Sequence, residues 1–161
     1  MMPAPATTAI EKMTLFGGLK LVLRGPDGRI KAVRHVKNMK VYGTVNIIAS
    51  AVAQGQTLSA NKLGLGSGPS VASADTTLSG EISQVAAGNR TIGRYSHDAN
   101  SPSWNLSFSF TDFPTTVSIG QAGILTSLTG GTLYLKASFS RITKNSQDVL
   151  NVAWLQSIAS A

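Results

Sequence analysis

Strict alternation of apolar and polar residues is the feature that most constrains this chain. In Trp104–Phe110 (WNLSFSF), a tryptophan, a leucine and two phenylalanines alternate with an asparagine and two serines. Side chains of a β-strand point alternately to opposite faces, so this run predicts an antiparallel strand with one buried and one solvated face. Thr132–Phe139 and Asp148–Ile158 repeat the alternation. The chain must therefore bury one side of a sheet.

Further strands are predicted between turn signals. They cover Thr14–Leu23, Arg29–Val36, Lys62–Gly66, Arg90–Ser96, Thr115–Ile119 and Ala122–Leu125. Gly25-Pro26-Asp27-Gly28 and Gly130-Gly131 have the residue types of hairpin turns. Leu78–Ile82 is predicted as a helical turn.

One segment has helical periodicity instead. Val41, Val45, Ile48 and Val52 recur at spacings of four, three and four, which predicts an amphipathic helix with this stripe facing the protein. Asn38 is the expected N-cap and Gly55 the expected C-terminal stop.

These elements predict a mainly β protein: an antiparallel β-sandwich or barrel with one inserted α-helix and an extended N-terminal arm. A length of 161 residues suits one domain. We assign residues 1–13, which are rich in Pro, Ala and Thr, to the arm, and residues 14–161 to a single β-sandwich domain. Trp104 and Trp154 lie on apolar faces of their strands and are assigned to the core.

No constellation of residues predicts catalysis, a cofactor or a metal. The chain has no cysteine, and its two histidines, His35 and His97, are far apart in sequence and are expected at the surface. The seven acidic residues are scattered, mostly in predicted turns, where carboxylates bond to the backbone. Gly64–Gly68 lacks the Gly-Lys-Ser/Thr ending of a phosphate-binding loop. The chain is predicted not to be an enzyme.

The sequence gives no sign of a membrane protein. No apolar run approaches the roughly 18–20 residues that span a bilayer, and residues 1–9 lack the features of a signal peptide. We therefore expect a soluble protein made in the cytoplasm.

Positive charge is concentrated in the first third of the chain. Residues 1–62 carry nine Lys/Arg and two acidic residues, whereas residues 63–161 carry five of each. Such asymmetry indicates either an anionic partner or a solvated basic face. The residues expected to dock on an acidic protein surface belong to the first hairpin: Lys20, Arg24, Arg29, Lys31, Arg34 and Lys37. Nucleic acid is a less favoured partner because the hairpin has few aromatic residues for base stacking.

The order of four short segments resembles a family of phage virion structural proteins. The first is a D-G hairpin followed by an asparagine and a helix, and the second is a strand ending in G-x-G, a small-residue loop and D-T-x-L-x-x-E. The third is an A-G-I segment with a G-G turn and an F-S-x-I run, and the fourth is a closing D-x-L-x-V-x-W strand. The matching segments are Asp27-Gly28 with Asn38, Leu63–Glu81, Gln121–Ile142 and Asp148–Trp154. The chain departs from the family at Gln121, where an acid is common.

This resemblance implies a structural component of a bacteriophage particle, made in the host cytoplasm and found in the virion. The favoured role is an auxiliary capsid protein, a decoration or cement protein, that binds the major capsid protein, forms homo-oligomers and stabilises the shell. A tail fibre, spike or baseplate subunit is the alternative. A carbohydrate-binding module is less favoured because it needs exposed aromatic residues, and both tryptophans are assigned to the core.

Overall fold

The computed structural model describes residues 13–55, 60–68, 72–82, 90–111 and 115–160. The predicted arm lies outside these ranges except for Met13, with which the first strand begins. The strands are β1 (Met13–Arg24), β2 (Ile30–Lys37), β3 (Met39–Lys40), β4 (Lys62–Gly66), β5 (Thr91–Ile92), β6 (Arg94–His97), β7 (Ser103–Phe110), β8 (Val117–Leu125), β9 (Leu133–Lys144) and β10 (Val149–Ser160), and the helix is α1 (Tyr42–Gln54).

The strands form two antiparallel five-stranded sheets. Sheet A has the order β2-β1-β10-β7-β6, and sheet B has the order β3-β9-β8-β4-β5. The chain crosses from one sheet to the other at both edges: between β2 and β3 at Asn38, and between β5 and β6 at Gly93. The structure is therefore a β-sandwich with one inserted helix, which confirms the predicted fold class.

The core lies between the sheets and follows the predicted alternation. Leu106, Phe108 and Phe110 of β7 are buried, as are Leu150, Val152 and Trp154 of β10, and the residues between them are exposed. Trp154 is fully buried, which confirms its assignment. Trp104 is only partly buried and packs against the core from one side.

Both predicted turns form hairpins. The Gly28 N–H donates to the Gly25 carbonyl at 2.9 Å, and Gly28 has a φ of 80°, a backbone conformation that glycine adopts without strain. Gly130 and Gly131 also have positive φ and connect β8 to β9.

The helix is present, but two predictions about it are wrong. Its N-cap is Val41 rather than Asn38, and Gly55 ends it in the left-handed conformation as expected. The predicted inner stripe does not all face inward, because Val45 is 64% and Val52 is 82% exposed. The Thr44 hydroxyl donates to the Tyr134 carbonyl of β9 and accepts from the Val41 N–H, which fixes the rotation of the helix. The helix has 13 residues, and no helix in the described part of the chain could cross a membrane.

Three further predictions, one of a helical turn and two of strands, need correction. Leu78–Ile82 is not a helical turn: Glu81 bridges Gly66, and the Ile82 N–H donates to the Leu65 carbonyl, so the segment extends alongside β4. The predicted strands Thr115–Ile119 and Ala122–Leu125 are not separate: one bulged strand, β8, runs from Val117 to Leu125. Arg90–Ser96 is divided at Gly93 between the two sheets. A Cβ at Gly93 would lie 2.4 Å from the Phe108 ring, so only glycine fits this crossing.

Candidate functional site: the outer face of sheet A

The outer face of sheet A consists of the side chains that point away from the core. In antiparallel strands, directly paired residues point to the same face. Lys20 pairs with His35 and Ala153, and Gly18 pairs with Lys37 and Leu155. The intervening residues of β1 and β10 are buried, so Lys20, His35 and Lys37 lie on the solvent side.

No strand of sheet A contains an aspartate or a glutamate. Exposed cations are present on both sides of the sheet's centre: Lys20 on β1 and Lys37 on β2 on one side, and Arg94 on β6 on the other. We call this outer face, with Lys20, His35, Lys37 and Arg94, the basic face. Its charge is not neutralised by any carboxylate on the same strands.

The basic face also exposes apolar side chains. Phe16 is 51%, Val33 is 37% and Leu155 is 45% exposed. A shallow groove of about 350 Å³ crosses the centre of the sheet where Gly18 has no side chain, and Lys20, His35, Asn105 and Leu155 line it. Isolated cations among exposed apolar residues are typical of protein-contact surfaces.

The six residues predicted to dock do not form one surface. Lys20 and Lys37 lie on the basic face. Arg24 and Arg29 lie at its hairpin end, where Arg24 donates to the Gly28 carbonyl and Arg29 contacts Asp27 at 3.6 Å. These four residues are exposed.

The other two predicted residues are engaged within the chain. The Lys31 ammonium contacts the buried carboxylate of Asp148 at 2.7 Å. Arg34 points to the core side of β2, since it pairs with Leu21, and its guanidinium donates to the Ser140 and Arg141 carbonyls of β9. Lys31 and Arg34 therefore hold elements of the sandwich together.

Sequence reasoning missed Arg94, His35 and the exposed Leu155. Arg94 lies more than fifty residues beyond the basic hairpin, and it joins the face only because β10 and β7 stand between β1 and β6. The sequence feature that could have indicated the basic face is the absence of acidic residues from all five strands of sheet A. This feature can be recognised only when it is known which strands form the sheet.

The described acidic residues act mainly in turns and internal ion pairs. Carboxylates of Asp27, Asp75 and Asp148 accept backbone N–H groups two or three residues away, which confirms the predicted turn role. The Asp75 and Glu81 carboxylates also pair with Lys136 at 2.8 Å and Arg90 at 2.7 Å. These pairs neutralise cations on the sheet B side, whereas no carboxylate of the described residues pairs with a cation of the basic face.

The pKa values of two carboxyl groups reflect these contacts. The hydrogen bond from Lys136, and then that from the Ala72 N–H, lowers the pKa of Asp75. Burial of Asp148 opposes ionisation, but hydrogen bonds from Lys31 and the Asn145 N–H, with the charges of Lys31 and Lys144, lower its pKa overall. Both groups are therefore ionised structural anions at neutral pH.

His35 and His97 are both exposed, as predicted. Among the described residues, no group of three or more His, Cys, Asp or Glu side chains is arranged to hold a metal ion. His97 donates from Nε2 to the Ser101 carbonyl at 2.8 Å.

Comparisons with known proteins add no relative to this description. The chain matches no family model, no curated protein and no solved structure.

Proposed function

We propose that this chain is an auxiliary structural protein of a phage particle that attaches to the capsid shell through the basic face of sheet A. The observation that supports this proposal best is a five-stranded outer face with exposed cations, exposed apolar residues and no carboxylate on its strands. The partner it fits is an acidic protein surface, such as that of a major capsid protein.

The size of the face supports a stable contact. Five strands about 4.8 Å apart, with about eight residues each at about 3.3 Å, give a face of roughly 600 Å². Standard protein interfaces bury about 800 Å² on each partner, so the basic face with its rim is large enough for specific attachment.

The composition of the face favours a protein partner over nucleic acid. Phe16 is the only aromatic residue among its exposed large apolar side chains, and single-strand binders use several aromatic platforms. The mixture of Leu155, Val33 and Phe16 with spaced cations suits a contact in which apolar burial gives affinity and charge gives orientation.

Attachment is tested by charge reversal on the basic face. The Lys20→Glu/Lys37→Glu variant is mixed with empty shells assembled from the major capsid protein of the phage that carries this chain, and bound protein is measured by co-sedimentation. Because like charges across an interface cost several kcal/mol, we expect affinity to fall by at least about tenfold.

The matched control is Lys40→Glu/Lys62→Glu, which changes the net charge equally but lies in sheet B. It should bind like the parent. Equal binding by all three proteins would contradict docking through the basic face. Binding of the parent to tail assemblies and not to shells would contradict capsid attachment, and loss of that binding in the Lys20→Glu/Lys37→Glu variant would assign the basic face to a tail or baseplate contact.

Self-association stays a prediction. The exposed Val45 and Val52 of α1 form the apolar surface on which it is best tested. A Val52→Asp variant should sediment as a smaller species than the parent if copies associate through the helix.

A further inference from the structure

The edge of sheet A at β2 is longer than the other edges of the sandwich. β2 has 8 residues, whereas the edge strands β6, β3 and β5 have 4, 2 and 2. Short edge strands leave little backbone open to pairing, and proteins use them to prevent unwanted association. β2 therefore presents the longest backbone edge in the described part of the chain.

The hydrogen-bond pattern indicates which groups of β2 face this edge. The Asn38 N–H donates to the Gly17 carbonyl at 3.2 Å, so these two residues form a hydrogen-bonded pair of the β1–β2 ladder. Hydrogen-bonded and non-hydrogen-bonded pairs alternate along antiparallel strands, so the adjacent pair, at Lys37, is of the second kind. By the same alternation, the backbone N–H and C=O groups of Val33, His35 and Lys37 point away from β1.

One of these outward groups is engaged within the chain. The Arg34 guanidinium donates to the Val33 carbonyl at 2.9 Å and to two carbonyls of β9. Among the described strands, only β1 pairs with β2. The Val33 N–H and both backbone groups of His35 and Lys37 are therefore available to a further strand.

The side chains along this edge favour one charge in such a strand. Val33, His35 and Lys37 are exposed, and Lys20 of β1 lies beside His35. Neither β1 nor β2 contains an acidic residue. Directly opposed side chains of paired strands are about 5 Å apart, so opposite charges attract and like charges repel. The edge therefore favours a strand with acidic side chains at alternate positions.

A second copy of β2 fits this edge poorly. The strand contains four basic side chains and no carboxylate: Lys31, Arg34, His35 and Lys37. Pairing of two β2 strands would bring only basic side chains together. Lysine on an edge strand is a known means of preventing such pairing, whereas an acidic strand of another protein meets no repulsion there.

We propose that the β2 edge accepts an extended acidic segment of the partner, which pairs with residues 33–37 as an added strand of sheet A. Backbone hydrogen bonds to His35 and Lys37 provide affinity, and acidic side chains at every second position lie over the basic face. The proposal rests on the proposed function, because it specifies how the acidic partner engages that face.

Amide hydrogen exchange measured by NMR tests this in the full chain. The probe is a synthetic peptide in which glutamate and threonine alternate, and the control peptide has the same composition with its glutamates consecutive. In the free protein, the amides of Arg34 and Val36 should exchange slowly, because they bond to β1. The probe should slow exchange at His35 and Lys37 at least about tenfold, and the control peptide should slow it less than about twofold.

A proline substitution tests the backbone contact separately. His35→Pro removes an edge N–H that β1 does not use, and edge strands tolerate proline where the N–H faces solvent. We expect His35→Pro to weaken probe binding at least about tenfold, because it loses a hydrogen bond and the ring obstructs the edge. His35→Ala keeps the N–H and should bind within about threefold of the parent. Fluorescence anisotropy of labelled probe measures both, and circular dichroism confirms that each variant is folded.

Several results would overturn the proposal. They are unchanged exchange at His35 and Lys37 with the probe, equal effects of the two peptides, and equal binding by the proline and alanine variants. Protection of these amides that grows with protein concentration in the absence of peptide would assign the edge to a second copy, and the proposal would be wrong. If His35→Pro does not fold, the exchange pattern of the parent decides. None of the peptide results depends on attachment to a shell, so this proposal and the proposed function can fail separately.

Discussion

The two sheets have the same number of strands, but their outer faces differ in exposure. The outer face of sheet A is open, with alternating exposed residues along β7 and β10. That of sheet B is covered, and β8 is buried on both faces from Ile119 to Leu125. Residues 72–82, which we call the cover segment, lie across sheet B, where Leu78 approaches the strands closely.

Glycines on sheet B make this cover possible. A Cβ at Gly64 would lie 2.6 Å from Leu78 Cδ1, and one at Gly123 would lie 2.8 Å from Leu78 Cδ2. The polar residues beneath the cover are paired within the chain: Lys136 with Asp75, and the Gln121 carboxamide oxygen with the Ser79 N–H. The central strands of sheet B therefore use their outer face for the stability of the fold, whereas the outer face of sheet A is left open.

The largest expected effect comes from an apolar truncation in the cover segment. Leu78 is 6% exposed and packs with Val41, Leu125 and Leu133. Leu78→Ala should lower the free energy of unfolding by about 3 kcal/mol, since it leaves a cavity. Leu155→Ala, on the open face, should cost under about 1 kcal/mol. Urea denaturation measures both, and equal losses would contradict the difference between the faces.

Removing a buried ion pair from sheet B should have the next largest effect. Lys136 is 2% exposed at its side chain, so Asp75→Asn leaves a buried ammonium without an anionic partner among the described residues, and the Thr77 carbonyl still accepts from it. We expect a loss of about 2 kcal/mol. Asp27→Asn is the control because its contact with Arg29 is exposed, and it should change stability by under about 0.5 kcal/mol. A similar loss in both variants would show that burial does not determine how much these ion pairs stabilise the fold.

Acid should weaken the sandwich through the same carboxylates. The pKa values of Asp75 and Asp148 lie below the ordinary 3.8 in the folded protein, so their contribution is complete above about pH 5 and is lost as pH falls through the folded values. Asp148→Asn should cost about 1–2 kcal/mol at pH 7 and much less at pH 3. Unfolding measured at both pH values checks this. A constant difference would show that ionisation of Asp148 does not stabilise the fold.

The smallest effect on stability is expected on the basic face. Lys20→Glu/Lys37→Glu should change the free energy of unfolding by under about 0.5 kcal/mol, because both side chains are exposed and neither forms an ion pair within the described part of the chain. Thermal unfolding monitored by circular dichroism is sufficient to check this. A large loss would show that the face has a structural role and would undermine the binding experiment.

The strands were predictable because the alternation of apolar and polar residues that marks a strand lies within its own short segment. The β7 and β10 core residues, both hairpin turns and the helix with its Gly55 stop were all readable from short segments. The rotation of the helix about its axis was not predictable from the sequence. Val45 and Ile48 are both apolar, and the hydrogen bond from Thr44 to β9 determines which of them faces inward.

The candidate site was only partly predictable because it depends on strand order. Lys20 and Lys37 were identified from local charge, but the roles of Lys31 and Arg34 depend on Asp148 and on the β9 carbonyls, over a hundred residues away. Arg94 belongs to the basic face only because its strand, β6, pairs with β7 in sheet A. Leu78–Ile82, the last part of the cover segment, was misread as a helical turn, since its pairing with β4 has no local signature.

Lysine footprinting of shell-bound protein tests the central claim most directly. Acetylation followed by mass spectrometry compares Lys20 and Lys37 on the basic face with the exposed Lys40 of sheet B, in free and shell-bound protein. If the basic face is the contact, we expect strong protection of Lys20 and Lys37 on binding and unchanged reactivity of Lys40. Protection of Lys40 with Lys20 and Lys37 still reactive would contradict it.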